Sequence, residues 1–550
     1  MKIALAQQNY IVGDFEGNLG KILKGIDDAA EMGADIVVFP ELAVCGYPPR
    51  DFLDYKDFTR RSLDSVDTIC QYAGRKVAVL VGSPSFNMEA DGKDLYNSAF
   101  FLHEGKVIHV ANKALLPTYD IFDEYRYFEP AKHFSVAEFM GKRIAVTICE
   151  DIWDIDDVNP MYTFNPMERL MEQQPDLMIN LSASPFSYRH ADERIAVVKG
   201  NAIIYNLPVF YCNTVGAQTD IIFDGGSLVA APDGYIVDEL PYFESALRVY
   251  DCDSVCFPEH PADRDNVASK ESLPLIHDAL VLGIKDYFQK SGFSKAILGL
   301  SGGIDSALTL VLAVRALGAE NVLSVLMPSQ YSSDHSIDDS LALVKNLGSP
   351  YHIIPIHDVY QAFETALQPY FNGLPHNVAE ENLQSRIRGN YLMALSNKHG
   401  YILLNTSNKS EAAVGYGTLY GDMCGALGVI GDVYKTQVFQ LCEYINREEE
   451  IIPRNIITKP PSAELRPNQK DSDSLPDYDI LDKVLYEYIE HCCGPEEIIE
   501  LGYDEVLVRR VLRLVNRAEF KRYQTPPFLR ISHKAFGMGR RLPIVARYLE

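Results

Sequence analysis

Three residues with complementary chemistry each close an apolar run. Glu41 ends "VVFPE", Lys113 ends "VIHVANK", and Cys149 ends "IAVTIC" just ahead of Glu150 and Asp151. A thiol needs a base to become a nucleophile, and a carboxylate can take its proton. A lysine can hold the oxyanion that forms when the thiolate attacks an amide carbonyl. Together they would make a thioester and then hydrolyse it. Taken singly, each has a structural alternative: a strand-end cysteine that only packs, a glutamate that opens a turn beside Pro40, a solvated lysine. A second group lies in "LGLSGGIDSAL" (298–308), where Gly299 and Leu300 lead into Ser301, Gly302, Gly303, Ile304, Asp305 and Ser306. The two glycines let the backbone approach an anion, and helix N-terminal N–H groups with two serine hydroxyls would surround a phosphate. The Lys-Ser/Thr pair of a kinase-type loop is absent. Asp305 repels a phosphate directly but makes sense with Mg²⁺ between them. The alternative is a Gly-rich helix start capped by Ser or Asp.

The elements around these residues must place them at one edge of a sheet. "KIALAQ" (2–7), "ADIVVFPE" (34–41), "KVAVLVGSP" (76–84), "NSAFFLHEGKVIHV" (97–110), "RIAVTICED" (143–151), "DLMINLSAS" (176–184), "LPVFYCNTVG" (207–216) and "GSLVAAPDGYIV" (226–237) read as strands. Residues 17–33 have helical spacing and end at a glycine. This predicts an α/β layered domain with a mixed sheet over 1–245. The pattern loosens over 246–272, which reads as a linker. Strand-like and helix-like stretches alternate again over 273–550, predicting a Rossmann-like, doubly wound parallel sheet. Ligands sit beyond the carboxyl ends of such strands, where both groups of residues fall. The polar, Pro-rich 459–479 is long for a loop within a domain, which favours a functional segment such as a lid over a floppy one.

The 550 residues are too many for one core, so two domains are expected. A net charge of −26 argues against nucleic acid and anionic membranes as partners. No run approaches a membrane span, and "MKIALAQQNYIVGDF" is too polar for a signal peptide, so the cytoplasm is the expected compartment. The ten cysteines lie mostly in apolar runs and read as reduced, buried thiols. "CDSVC" (252–256) lacks a second Cys/His pair at zinc spacing and reads as no metal site.

"FPELAVCGYPPRDF", "NKALLPTYDIFDEYRYF" and "ICEDIW", in that order, resemble the nitrilase superfamily over roughly residues 1–245. The resemblance implies an αββα sandwich in which Glu41 is the general base, Lys113 the oxyanion stabiliser and Cys149 the nucleophile. It places a second carboxylate at Glu124. "PTYDIFDE" and "NLSASPF" resemble the glutaminase domains of glutamine-dependent synthetases, which implies that Tyr119 and Ser184 contact glutamine. The position six residues after that serine is usually basic. Here it is His190, preceded by Arg189, and either residue fits.

"SGGIDS" resembles the loop of the ATP pyrophosphatases, of the adenine nucleotide alpha hydrolase type, which cleave ATP between the α and β phosphates. "ENLQSRIRGNYLMALSN", "LLNTSNKSEAAVGYGTLYGD", "GDVYKTQV", "KPPSAELRPNQKDSDSLPDYDILD" and "EFKRYQTPPFLRIS" resemble the NAD synthetases in family order. That resemblance implies ATP contacts from residues 299–306, Thr406, Lys435 and Ser462. It implies contacts to deamido-NAD(+) from Asn382, Glu411 and Lys521, with Asp305 and Glu411 as ligands of Mg²⁺. "TSNKSE" lacks the histidine usual in ammonia-only members and looks like the glutamine-dependent branch. The expected reaction is adenylation of the deamido-NAD(+) carboxylate by ATP, then attack by ammonia from L-glutamine carried through a closed tunnel, in a homo-oligomer. The rival readings are another glutamine-dependent ATP pyrophosphatase, a nitrilase with an inert second half, and a non-catalytic nucleotide sensor.

Overall fold

The apolar run Lys2–Gln7 forms β1, followed by β2 (Ile36–Val38), β3 (Ala78–Phe86), β4 (Leu95–His103) and β5 (Lys106–Asn112). Then come β6 (Ala137–Phe139), β7 (Lys142–Ile148), β8 (Leu177–Ser182) and β9 (Val209–Asn213). The hairpin of β10 (Val215–Gln218) and β11 (Ile221–Asp224) precedes β12 (Leu228–Ala230), β13 (Ile236–Glu239) and β14 (Ala246–Asp251). The protein is described from a computed structural model that covers residues 1–89, 91–155, 161–256, 269–467, 469–473 and 475–548.

Two six-stranded sheets result, ordered β14-β1-β2-β3-β4-β5 and β13-β12-β9-β8-β7-β6. Leu5, Leu80 and Phe101 of the first sheet share one buried apolar cluster with Val146, Ile179 and Phe210 of the second. The outer face of the first sheet packs on helices Phe15–Glu31 and Lys56–Ala73 through Ile22, Ile26, Val66 and Ile69. The outer face of the second packs on Pro166–Met171 and His190–Tyr205 through Met167, Leu170, Ile195 and Val198. The layers therefore run α-β-β-α.

Three features depart from the sequence expectation. The single strand expected over 97–110 is a hairpin, because Glu104 and Gly105 both take positive φ (51° and 71°) and turn β4 back into β5. Helix Lys56–Ala73 escapes the apolar-period reading because its buried face carries Thr59, Ser62 and Ser65. The Ser62 and Ser65 hydroxyls are satisfied by donating to the carbonyls of Phe58 and Arg61. The stretch read as a linker, 246–272, begins instead with β14, which pairs antiparallel with β1 along its whole length. Leu247 and Val249 then pack against the first sheet's outer cluster, and Tyr250 enters the inter-sheet core. Residues 257–268 of that stretch lie outside the described residues.

The chain divides into two units, Met1–Glu271 and Ser272–Glu550. The second unit is built on β15 (Ala296–Gly299), β16 (Val322–Leu326), β17 (Tyr351–Ile353), β18 (Ile402–Asn405) and β19 (Leu427–Gly428), ordered β17-β16-β15-β18-β19 with every pairing parallel. The order reverses between β15 and β18, which opens a crevice beyond their carboxyl ends. Residues 300–306 follow β15 there, and Thr406 to Glu411 follow β18. Among the described residues no helix is long and apolar enough to cross a membrane.

Candidate active sites

Glu41, Lys113 and Cys149 converge in the first unit because β2, β5 and β7 deliver them to one end of the sandwich. Lys113 is buried between two carboxylates, donating to Glu41 Oε1 and Glu124 Oε1 at 2.8 Å each. Glu41 also accepts from Asn97 Nδ2 at 2.7 Å and from the Ala183 N–H at 3.0 Å. Glu124 also accepts from the Tyr47 hydroxyl at 2.8 Å. Burial alone would push the Lys113 ammonium down, but Glu124 and Glu41 outweigh it and hold it well above its usual range. Burial, and then the charge on Glu41, pushes the Cys149 thiol well up, so it rests protonated.

Cys149 takes a φ of 43°, in the left-handed region that non-glycine residues rarely adopt. It turns the chain from β7 into the short turn Cys149–Ile152. Asp151 fixes that turn and the Lys113 loop together: it accepts from the N–H of Ile148 at 3.0 Å and from those of Ala114 and Leu115 at 2.9 Å. Glu150 points elsewhere and accepts from the hydroxyls of Tyr119 and Tyr162, each at 3.0 Å. Burial raises its carboxyl to about 7, against the neighbouring Lys113 charge and the two tyrosine bonds.

Ser184 and His190 meet through a 2.7 Å hydrogen bond between Oγ and Nε2. The His190 ring stacks on Trp153 at a centroid distance of 4.7 Å. Burial pushes the imidazole down toward its neutral form. Arg189 is exposed, so the structure brings His190, not Arg189, to Ser184. Glu150, Asp151, Tyr162, Asn97 and Tyr47 complete this site and were not assigned roles from sequence. Glu150 and Asp151 had a signal in their adjacency to Cys149; Asn97, inside a strand pattern, had none.

In the second unit the loop after β15 is held by its own serines. Ser301 N–H donates to Ser306 Oγ at 3.3 Å, and Gly303 N–H donates to Ser301 Oγ at 3.2 Å. Asp305, in the first turn of helix Ile304–Leu317, accepts from Asn408 Nδ2 at 2.9 Å and from Lys435 Nζ. Lys435 also lies 3.5 Å from Glu411. Asn408 caps the helix Lys409–Val414 by accepting from the Glu411 N–H at 3.0 Å. Asp305, Asn408, Glu411 and Lys435 are thus one constellation at the sheet's switch point. Burial and the Asp305 charge push Glu411 up to about 8 despite Lys435. Two carboxylates share one lysine, so Glu411 tends to keep its proton, and a divalent cation with oxygen ligands would suit the pair by taking that proton's place. Among the described residues no group of three or more His, Cys, Asp or Glu could hold a metal by itself.

The remaining expected contacts lie on other segments of this unit. Asn382 accepts from Thr418 Oγ1 at 2.8 Å, and Lys521 donates to the carbonyls of Gly415 and Gly417 at 2.8 and 2.7 Å. Both therefore brace the loop that follows the Glu411 helix. Thr406 is half-buried just beyond β18. Ser462 is exposed and donates to the Gln469 carbonyl at 2.6 Å, within its own loop. That loop is anchored: Glu464 accepts from Ser333 Oγ at 2.9 Å and Ser336 Oγ at 2.8 Å, and the Leu465 carbonyl accepts from Gln384 at 2.9 Å.

A thiol–carboxylate–lysine site in an α-β-β-α sandwich, followed by an anion loop at the switch point of a parallel sheet, defines a carbon-nitrogen hydrolase joined to a nucleotide-activating unit. Residues 2–256 match the carbon-nitrogen hydrolase family and residues 276–525 match the NAD synthase family. The chain is 46% identical to the glutamine-dependent NAD(+) synthetase of Synechocystis sp., covering 99% of both chains. It is 40% identical to that of Thermotoga maritima, covering 100% of this chain and 99% of the relative. The solved structure of the Acinetobacter baumannii glutamine-dependent NAD(+) synthetase, in complex with adenosine diphosphate, aligns with a TM-score of 0.78 at 38% identity, over 99% of this chain and 98% of that one. The chain belongs to the glutamine-dependent NAD(+) synthetase family.

Proposed function

We propose that this chain is a ligase that amidates deamido-NAD(+) with nitrogen taken from L-glutamine, consuming ATP and releasing AMP, diphosphate and glutamate. The observation that carries this reading is that one chain holds both constellations complete: Cys149 with Glu41, Lys113 and Glu124, and Asp305 with Asn408, Glu411 and Lys435.

In the first site, Cys149 Sγ attacks the side-chain amide carbon of glutamine while Glu41 takes the thiol proton. The proton transfer must accompany the attack, because the buried thiol does not ionise beforehand. The Lys113 ammonium has three donors; Glu41 and Glu124 take two, and the third serves the oxyanion. Glu41 returns that proton to the amide nitrogen, ammonia leaves, and water attacks the thioester with the freed Glu41 carboxylate again as base, releasing glutamate and the Cys149 thiol. Glu150, flanked by Tyr119 and Tyr162, supplies a carboxylate to the α-ammonium of the substrate, and Ser184 with His190 supports the other end.

In the second site, the nicotinate carboxylate attacks the α-phosphorus of ATP and diphosphate departs. The loop 299–306 supplies backbone N–H groups and the hydroxyls of Ser301 and Ser306 to the phosphates. Thr406, Lys435 and Ser462 complete the ATP contacts, and Asn382, Glu411 and Lys521 those to deamido-NAD(+). Asp305 and Glu411 would hold Mg²⁺, which when bound neutralises phosphate charge. Ammonia then attacks the adenylate carbonyl, and AMP leaves. In bulk water ammonia would be protonated and diluted, which supports a closed route between the sites. A homo-oligomer, as the resemblance implies, belongs to this reading, with the cytoplasm as its expected compartment.

The test is direct. The protein is incubated with deamido-NAD(+), ATP, Mg²⁺ and either glutamine or ammonium, and NAD(+) is measured. Formation with both nitrogen sources is expected; formation with neither would overturn the reading.

A further inference from the structure

Neither site uses the "CDSVC" stretch. It forms one helical turn, Cys252–Cys256, directly after β14. Spacing of four residues puts both thiols on one face, and the two Sγ atoms lie 4.0 Å apart. The two thiols differ in environment. Cys252 is fully buried in the inter-sheet cluster, and its N–H donates to the Met1 carbonyl at 2.8 Å. Cys256 is partly exposed. Lys142 reaches the same turn, its Nζ 3.7 Å from Asp253. The hydrogen bond shared by the two sulfurs, with help from Lys142 against burial, brings the Cys256 thiol down to about 7. The same hydrogen bond and burial push Cys252 up. An accessible thiol that ionises readily therefore sits against a sheltered one that stays protonated. This is the division of labour between an attacking and a resolving thiol.

We propose that Cys252 and Cys256 form a redox-active dithiol that exchanges with small disulfides such as oxidised glutathione. The Cys256 thiolate attacks one sulfur of the disulfide. That S–S bond breaks, and the first thiolate leaves and takes a proton from water. Cys252 attacks the Cys256 sulfur of the mixed disulfide and passes its proton to the second thiolate as that leaves, so the second small thiol departs protonated. Two protein thiols lose two electrons, and one small disulfide becomes two small thiols. An S–S bond of about 2.05 Å requires the sulfurs to close by about 2 Å. A helix of five residues can open to allow this while β14 keeps its pairing with β1.

The experiment treats the full chain with oxidised glutathione, traps free thiols by alkylation and maps cysteine peptides by mass. The unsubstituted chain should yield a Cys252–Cys256 disulfide. Cys252→Ala should instead retain glutathione on Cys256, and Cys256→Ser should leave Cys252 unmodified. Alkylation of Cys256 should follow a titration with its midpoint near 7, shifted upward in Cys252→Ala by loss of the hydrogen bond between the two sulfurs. Glutathione that persists on Cys256 of the unsubstituted chain would overturn the proposal. So would modification of Cys252 in Cys256→Ser, or reaction confined to Cys492 and Cys493.

Discussion

Each unit holds one lysine between two carboxylates, yet water reaches the two arrangements differently. The side chains of Lys113, Glu41 and Glu124 are 1%, 0% and 6% exposed, and both ion pairs close at 2.8 Å. Lys435 is 2% exposed, but its partners Asp305 and Glu411 are 19% and 17% exposed, and the Glu411 contact opens to 3.5 Å. The first set is finished before its substrate arrives, as suits a neutral amide that brings no charge to the reacting carbon. The second is left short of positive charge on a partly open face, as suits a nucleotide that arrives with phosphates and a cation. The same arrangement, one lysine between two carboxylates, is thus closed to water in one unit and partly open to it in the other.

The largest test of this contrast separates the units outright. Cys149→Ala should lower glutamine-supported NAD(+) formation by about 10⁴-fold or more, the scale on which enzymes lose a nucleophile. Ammonium-supported formation should persist at the unsubstituted rate. If assays with the two nitrogen sources fell together, Cys149 would be structural and the contrast would fail.

The next test asks the two lysines the same question. Lys113→Met leaves Glu41 and Glu124 buried without their cation, which should cost about 3–5 kcal/mol of stability. Lys435→Met leaves two carboxylates that water partly reaches, one of which already tends to hold a proton. About 1–2 kcal/mol is expected there, between the exposed and buried limits. Denaturant titrations of both variants check the ranking, and equal losses would erase the difference drawn from exposure.

These sites were legible in the sequence to different degrees. Glu41, Lys113 and Cys149 could be paired because each ends an apolar run, and strand ends meet at one edge of a sheet. Asp305 was legible less directly, since glycines and serines at a strand-to-helix step also fit a plain capped helix start, and the wider resemblance was needed to favour a phosphate loop. Asn97 was not legible, since a polar residue inside a strand reads the same whether it faces water or a buried carboxylate, and Tyr47 was not because it lies in a loop with no periodic pattern. Helix Lys56–Ala73 was missed because serines that bond to their own backbone can be buried at almost no polar cost, and the apolar period then vanishes. β14 was missed because its alternation is short and flanked by charge. What it pairs with, β1, lies at the other end of the unit in sequence.

A smaller effect should follow from Glu150. The unfolded chain releases this proton near the usual carboxyl value of 4.5, and the folded site holds it to about 7. Between those values the folded state binds more protons, so stability falls as pH rises. The contribution is complete below 4.5 and lost through 7, on the order of 3 kcal/mol for a shift of this size. Glu150→Gln keeps an oxygen for Tyr119 and Tyr162 and removes the titration. Its melting temperature relative to the unsubstituted chain should therefore rise between pH 5 and 8. The KM for glutamine should fall with rising pH only where Glu150 is present. A parallel pH course in both proteins would remove Glu150 from substrate recognition.

The smallest expected effect distinguishes two glycines that read alike in sequence. At Gly302 φ is 77°, and a Cβ would lie 2.4 Å from the Ser336 carbonyl oxygen and 2.8 Å from its Cα. Both neighbours are backbone, so no rotamer change relieves them. Ser336 also donates to Glu464, so displacing it would loosen the 459–467 segment as well. Gly303 has an ordinary φ of −84°, and its Cβ would meet only the Ser301 hydroxyl, at 3.2 Å. Gly302→Ala should therefore cost about 1–3 kcal/mol, seen as a raised KM for ATP with both nitrogen sources and an unchanged rate of glutamine hydrolysis without ATP. Gly303→Ala should change little, because a serine side chain can rotate away. Equal losses in the two variants would mean that close approach of a phosphate, rather than contact with Ser336, is what demands glycine in this loop. The receiving site would then be shaped by its ligand more than by its own fold.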